Sequence, residues 1–371
     1  MKIFIEPNDV LMFRDGKPFS GGDDHYASGI FPPFPSTFYG AIRSKILSEH
    51  PQYERYLRGD IPDDLKEEIG TPSAYGNLAI TNFLFARKEN EVINPVFPVP
   101  KDVIKIKGKE QRDLFILRPN EGLSTQIKTN LPITSLAPLW LKTDEPLEEA
   151  TGFISLEIMR KYLEGTMQKE IINSNDLFQR DERVGIKKDR IQKAAATGAL
   201  YSVEYFRLKE DVGFIVELSG VRSLPKEGLM RLGGDHRSVF YKESSFQMPD
   251  AEVVKKKVNE TGRFKHILLT PAIFNKGWIP DWIDSESGEG RLNDVSLKLV
   301  SAAIGKPVYI GGFNLAKKIP KDMKKAVPQG SVYYLEIKQG SAEEILNAFW
   351  LQSISAEKQK EGFGISIIGG Y

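Results

Sequence analysis

The sequence predicts an α+β protein built from two ferredoxin-like (RRM-like) domains, residues 1–245 and 246–371, the first carrying a long insertion at about 89–198. Three observations carry this reading. The chain has 371 residues, which at roughly 100–200 residues per domain points to two or three domains. Short runs of alternating apolar and polar residues recur along it, the signature of strands with one buried face. Each half also ends in the order strand, helix, glycine pair, strand, so that a β-α-β-β-α-β plan reads twice. The repeat is one of pattern and not of identical residues; two unrelated α+β halves are the alternative.

Lys2–Glu6 alternates and predicts the first strand. Residues 13–37 are too dense in Gly and Pro for regular structure, and so long a loop in a compact protein usually serves a function. Ser36 or Thr37 caps a predicted helix over 38–49, with Ile42, Ile46 and Leu47 at helical spacing. Residues 77–88 predict a strand, and the insertion holds one predicted helix over 154–163. An aromatic-rich strand over 200–208, turn chemistry at 209–213 and a strand over 214–218 predict a hairpin. A short helix over 225–231, Gly233-Gly234 and a strand over 238–242 complete the first half. In the second half strands are predicted at 266–270, 308–310 and 331–337, while 295–303 reads as helix or strand. Ser341 and Glu344 form a capping box for a helix reaching about Trp350. Gly362-Phe363-Gly364 and a last strand over 365–368 follow.

Composition excludes several chemistries. Lys and Arg number 51 and Asp and Glu 50, a net charge of +1, so any basic site must be local. Without cysteine there are no disulfides, thiolate zinc sites, iron–sulfur clusters or cysteine nucleophiles. His25, His50, His236 and His266 are too far apart in sequence for an HxH or HExxH metal motif. No apolar run approaches a membrane span, and the first residues are too short and acidic for a signal peptide; a cytoplasmic protein is expected. There is no Gly-x-Ser-x-Gly elbow or phosphate loop, and Gly362-x-Gly364 lacks the strand-before, helix-after setting of a dinucleotide site.

Local charge is more informative. Residues 180–193 hold Arg180, Arg183, Lys187, Lys188, Arg190 and Lys193 against Asp181, Glu182 and Asp189. Residues 101–112 hold Lys101, Lys105, Lys107, Lys109 and Arg112 against Asp102 and Glu110. Such runs suit a phosphate backbone, whose neutralisation releases counterions, or form solvated faces. Gly233-Gly234 and Gly362-x-Gly364 sit at equivalent places; each is either an anion-binding concavity of backbone N–H groups or a plain turn. Ser36 and Thr37 at a helix entry, with Arg43 two turns on, suit phosphate or make an ordinary cap and ion pair. His25, in a polar loop with Asp23 and Asp24, has two readings, a general base for RNA cleavage or a loop-packing side chain.

Taken together, several segments resemble a known family. Phe13-Arg14-Asp15-Gly16-Lys17-Pro18-Phe19 followed by Ile30-Phe31-Pro32-Pro33-Phe34-Pro35-Ser36-Thr37-Phe38-Tyr39-Gly40-Ala41-Ile42-Arg43 resembles the amino-terminal signature of the Cmr subunit 3 family, RAMP-superfamily proteins of the type III-B CRISPR effector complex. Thr270-Pro271-Ala272-Ile273-Phe274, Gly277-Trp278-Ile279-Pro280, Ile310-Gly311-Gly312-Phe313 and Ala326-Val327-Pro328-Gln329-Gly330-Ser331 agree with it in order. The resemblance is weakest across about 89–180.

The resemblance implies two ferredoxin-like domains, no cleavage activity, and binding of the 5′ repeat-derived tag of the guide RNA. It implies pairing with the large polymerase-like subunit and contact with an adjacent backbone RAMP subunit, with no membrane. It implies no cofactor of its own; Arg14, Asp15 and His25 are the expected partner or nucleotide interface with the large subunit. Superfamily members often carry a β-hairpin thumb before the third strand, the place of the 180–193 run here, and Ser36, Thr37 and Arg43 match their helix-entry contacts to guide RNA. The second glycine loop departs from the pattern, having no basic residue. A RAMP-type repeat-RNA endoribonuclease with His25 as base, and a pure assembly subunit, are the alternatives.

Overall fold

The computed structural model describes residues 1–14, 26–49, 55–56, 58, 60–108, 114–124, 126, 131–133, 135–167, 170–188, 195–314 and 319–371. Its main elements are β1 (Lys2–Pro7), α1 (Pro35–Ser48), α2 (Asp63–Ile69), β2 (Ala79–Glu89), β3 (Val92–Pro98), β4 (Val103–Ile106), β5 (Phe153–Ser155), α3 (Leu156–Leu163), β6 (Phe178–Lys188), β7 (Ala195–Leu208), β8 (Val212–Ser219), β9 (Glu227–Arg231), β10 (Ser238–Glu243), α4 (Ala251–Thr261), β11 (Arg263–Leu268), β12 (Glu289–Leu292), β13 (Val295–Ala303), β14 (Phe313–Asn314), β15 (Ile319–Pro320), β16 (Val332–Gln339), α5 (Ala342–Phe349) and β17 (Ser366–Gly369). It is an α+β fold with mostly antiparallel sheets. The chain divides into two compact units, Met1–Ile80 with Ser174–Ser244 and Tyr309–Lys324, and Thr81–Asn173 with Ser245–Val308 and Lys325–Tyr371.

In the first unit β1 pairs antiparallel with β8 on one side, Ile5 facing Phe214, and with β10 on the other, Ile5 facing Tyr241. β9 pairs with β10. The helix α1 begins earlier than the hydroxyls predicted. Pro35 occupies its first position and Phe34 is the N-cap without a side-chain bond, so Ser36 and Thr37 lie inside the first turn. Proline's fixed φ is pre-organised for that first position, and it sets the start.

Two sequence expectations fail here. The strands 200–208 and 214–218 are not hairpin partners. β7 pairs with β6 along Phe178–Ile186, and on its other edge Phe206 exchanges two backbone hydrogen bonds of 2.8 Å with Leu11. Both edges of β7 are therefore occupied there, and β8 pairs with β1. The predicted helix over 225–231 is the strand β9. Its residues alternate, Met230 buried between exposed Leu229 and Arg231, and positive φ at Gly233, Asp235 and His236 closes it as a hairpin on β10. Gly228 inside it would cost a helix about 1 kcal/mol.

The second unit holds a five-stranded sheet in the order β12-β13-β16-β11-β17. The predicted capping box is present, with Ser341 Oγ accepting from the Glu344 N–H and the Glu344 carboxylate from the Ser341 N–H. Residues 295–303 are strand, and no helix lies between β11 and β12. α3 starts two residues later than predicted because Phe153–Ser155 pairs with β3; Ser155 then caps it by accepting from the Ile158 N–H at 3.3 Å.

A polar network sits in this core. Asp102, fully buried, accepts from the Tyr162 hydroxyl at 2.7 Å and the Tyr334 hydroxyl at 2.6 Å. Lys265 on β11 is buried with Nζ 3.2 Å from the centre of the Tyr162 ring. Burial pushes its ammonium down to about 7, against the pull of Asp102. His266 is buried against Tyr333 and Phe349, and burial pushes its imidazole down to about 3, so it is neutral at pH 7. The Gly362–Gly364 loop is also interior. Phe363 is fully buried, and the three N–H groups donate to Gln359, Lys358 and Pro271 carbonyls.

Two outcomes follow from these contacts. Unfolded lysine keeps its proton up to about 10.5, so from about pH 7 upward the unfolded chain binds more protons than the folded one and stability rises with pH. The urea midpoint should rise between pH 7 and 9, below the ionisation of unfolded-state tyrosines, and Lys265→Met should flatten that rise; an unchanged slope would mean that folded Lys265 stays charged. Gly364 has φ +72°, and an added Cβ would lie 2.5 Å from the Ser355 nitrogen. Gly364→Ala should lower unfolding free energy by about 2 kcal/mol or more, and a thermal midpoint equal to the parent's would contradict this packing.

Candidate nucleic-acid interface

β6 and β7 form a long antiparallel ribbon whose register sets Asp181 opposite Tyr205, Arg183 opposite Val203 and Arg180 opposite Phe206. Because side chains alternate along a strand, the basic run splits between two faces. Arg183 shares one face with Val203, Tyr205 and Arg207, while Arg180 shares the other with Glu204 and Phe206.

On the first face two guanidinium groups lie near the Tyr205 ring, Arg183 at 5.1 Å and Arg237 at 4.8 Å from its centre. Its hydroxyl donates to Asp235 at 3.0 Å. Asp181 accepts from Arg183 at 3.0 Å and Arg207 at 3.2 Å. Asp9 accepts from Arg237 at 3.2 Å and Arg207 at 3.5 Å, and Asp235 from Arg237 at 2.9 Å. Hydrogen bonds from Arg183 and Arg207 hold the Asp181 carboxyl below its ordinary range. Burial, and then the bond to Asp235, push the Tyr205 hydroxyl up. The result is an arginine cluster of fixed geometry whose charges are matched by Asp9, Asp181 and Asp235.

Gly233-Gly234 completes this face as a close-approach turn. Gly233 has φ +75°, and a Cβ there would lie 2.3 Å from the Met12 carbonyl oxygen, to which the Gly234 N–H donates at 2.8 Å. The turn delivers Asp235 and Arg237 to Tyr205. On the opposite face Arg180 pairs with Glu204, whose other oxygen accepts from the Gly29 N–H at 2.8 Å. Arg180 also lies 5.7 Å from the Phe206 ring. Phe31 packs on Phe206 and Phe178 at 4.5 and 4.1 Å, laying the loop before α1 along the ribbon root.

The structure thus joins Arg183 to Gly233 and Gly234 and sets Arg180 apart from them. Ser36 and Thr37 are half-buried in the first turn of α1. Arg43 turns inward, donating to the Tyr56 hydroxyl and to the Thr71 carbonyl at 2.9 Å. Lys187 and Lys188 end β6, with side chains outside the described residues, where Asp15, His25, Arg190 and Lys193 also fall. Arg14 is exposed and bridges Gly29. Of the 101–112 run, Lys101 and Lys105 pair with Glu149 and Glu148. Sequence reasoning missed Tyr205, Arg207, Asp235, Arg237 and Asp9. The first two were visible as alternate positions of an aromatic strand and the next two as neighbours of the glycine pair; Asp9 had no signal. Among the described residues no group of three or more His, Asp or Glu is placed to hold a metal ion, and no helix is long and apolar enough to cross a membrane.

Tyr205 is the centre of this face and packs on Val10 and Val203. Tyr205→Phe should lower stability by about 1 kcal/mol through the lost hydrogen bond, and Tyr205→Ala by about 3 kcal/mol through the lost packing. Equal urea midpoints for the two variants would refute the ring's packing role.

Comparison with known proteins places the chain. The family described as CRISPR-associated protein (Cas_Cmr3) matches residues 3–370. No curated protein matches. Among solved structures, a chain of type III-B Cmr-beta bound to cognate target RNA and AMPPnP is similar over 90% of this chain and 86% of that one, at 16% identity and a TM-score of 0.47. A chain of the Csm3–Csm4 subcomplex of the type III-A CRISPR-Cas interference complex is similar over 100% of this chain and 99% of that one, at 13% identity and a TM-score of 0.41. With a match that runs from Ile3 to Gly370, the chain belongs to the Cas_Cmr3 family of CRISPR-associated proteins.

Proposed function

We propose that this chain is a non-catalytic guide-RNA-binding subunit of the type III-B Cmr effector complex. In that role it holds the 5′ repeat-derived tag and pairs with the large polymerase-like subunit and an adjacent backbone RAMP subunit. The observation that supports this best is the β6–β7 ribbon, a long antiparallel strand pair with positioned arginines on both faces. Arginine forks of fixed orientation suit phosphate oxygens, and phosphate contacts position an RNA strand while its bases pack on side chains. A nucleotide at the large-subunit interface near Arg14 belongs to the same proposal.

The two halves are read as ferredoxin-like on a shared strand arrangement. Each first strand, β1 and β11, is flanked by the last strand of its half, β10 and β17, and by the strand that follows a long insertion, β8 and β16. Each half keeps one helix of the plan. α1 follows β1, whereas α5 precedes β17. The β9 strand and the irregular 269–288 segment occupy the other helix positions.

Crosslinking of guide RNA in the reconstituted pair with the large subunit, with and without the 5′ tag, tests the function. Tag-dependent crosslinks should map to 36–43 and 178–208, and Arg183→Ala with Lys187→Ala and Lys188→Ala should weaken guide binding at least tenfold with a shallower salt dependence. Crosslinks absent from this chain would leave the assembly role alone. Metal-independent cutting of repeat RNA that is lost on His25→Ala would replace the proposal with the nuclease.

A further inference from the structure

The strand β9 has an open edge. Among the described residues it pairs with β10 alone, on one side. The Leu232 N–H donates to the Arg237 carbonyl at 2.9 Å and the Glu243 N–H to the Lys226 carbonyl at 2.6 Å, so the even-numbered residues of this stretch face β10. Successive residues of an antiparallel ladder turn their backbone groups to opposite sides. Glu227, Leu229 and Arg231 therefore turn theirs away from the sheet. Such a row of N–H and C=O groups is a template for another strand.

Edge strands are commonly guarded by lysine or proline, which repel or block a second copy. β9 carries neither. Glu227, Leu229 and Arg231 share one face; all three are exposed, Leu229 by 58%, and Leu229 lies opposite half-buried Phe240. The order is complementary to its own reverse. Set antiparallel against itself about Leu229, the strand places each Glu227 opposite an Arg231 and Leu229 opposite Leu229. The residues that meet are those whose backbone groups point outward, so each facing pair can exchange two hydrogen bonds. Lys242 of β10 lies 3.8 Å from Glu227, so the carboxylate then stands between two cations. One Arg231 nitrogen meets His236 Nδ1 at 3.3 Å, which leaves the other donors of the guanidinium for the carboxylate.

We propose that β9 is a self-association edge, through which two copies of this chain pair β9 with β9, antiparallel, about a two-fold axis at Leu229. The inference stands apart from the RNA-binding reading and uses none of its residues. One patch serves both copies, as in any isologous contact. Opposite charges at mirrored positions select a second copy over an arbitrary strand, because cross-strand pairs of opposite sign stabilise and pairs of like sign repel.

Sedimentation equilibrium of the full chain at low salt and about 100 μM, a concentration that populates a weak interface, tests this. The parent should show a monomer–dimer equilibrium. Glu227→Arg sets arginine against arginine, and Arg231→Glu sets glutamate against glutamate; each should weaken dimerisation about tenfold or more. A one-to-one mixture of the two variants restores the opposite pairs and should recover dimers. The double variant, Glu227→Arg with Arg231→Glu, should dimerise with itself, and it decides alone if a single variant fails to fold. The altered side chains are exposed, so thermal midpoints should match the parent's. A monomeric parent overturns the inference, as does a dimer that both single variants leave unchanged, or a mixture and a double variant that stay monomeric. A parent that is monomeric alone but loses large-subunit binding on Glu227→Arg makes β9 a docking edge for that partner, and overturns self-pairing as well.

Discussion

A buried carboxylate organises the second unit. Asp102 receives hydroxyls from α3 and from β16, and Lys265 from β11 faces the same tyrosine ring. The Asp102 carbonyl also accepts from the Leu117 N–H at 2.8 Å, and the Leu117 carbonyl lies 2.7 Å from the Tyr334 hydroxyl, whose single proton it shares with the Asp102 carboxylate. One residue therefore ties the 81–173 segment to the central strands of the carboxyl-terminal sheet. Burying an acid and a base is costly, and only satisfied hydrogen bonds make it tolerable. An apolar replacement of this network would fill the space without specifying which segments meet.

The first unit solves the same problem with rings. Phe31, Phe178, Phe206 and Phe214 converge, and Phe38 of α1 meets Phe214 edge-on at 4.8 Å. The cluster draws the loop before α1, the root of the β6–β7 ribbon and β8 onto one apolar point. The ribbon is thereby anchored at its base, and its arginines are displayed from a rigid origin instead of a flexible arm.

Much of this was legible in residue order. The strands β1, β7, β10 and β16 were expected, the first two from alternation, and Ser341 with Glu344 announced α5, because these signals are local. Pairing was not legible. Nothing in 200–218 reveals that Leu11 occupies the edge of β7, and Pro35 outweighed two hydroxyls at the start of α1. The short strand β9 carries helix-compatible residues and owes its state to the turn that follows it. The candidate interface was visible as a basic run, but its division between two faces depends on a register that no run of charges encodes. Asp9 reaches Arg207 and Arg237 from far along the chain, and only the folded sheet brings them together.

The pairing of Arg183 with Asp181 has a kinetic side. An anion that approaches this guanidinium meets a carboxylate already seated on it, two residues away on the same strand. Binding is then an exchange of partners, and departure of the anion is followed by immediate recapture of the arginine. The aspartate acts as a tethered competitor whose local concentration never falls. It lowers affinity for stray phosphates, keeps the guanidinium aimed in the vacant state, and makes release fast without any change in salt.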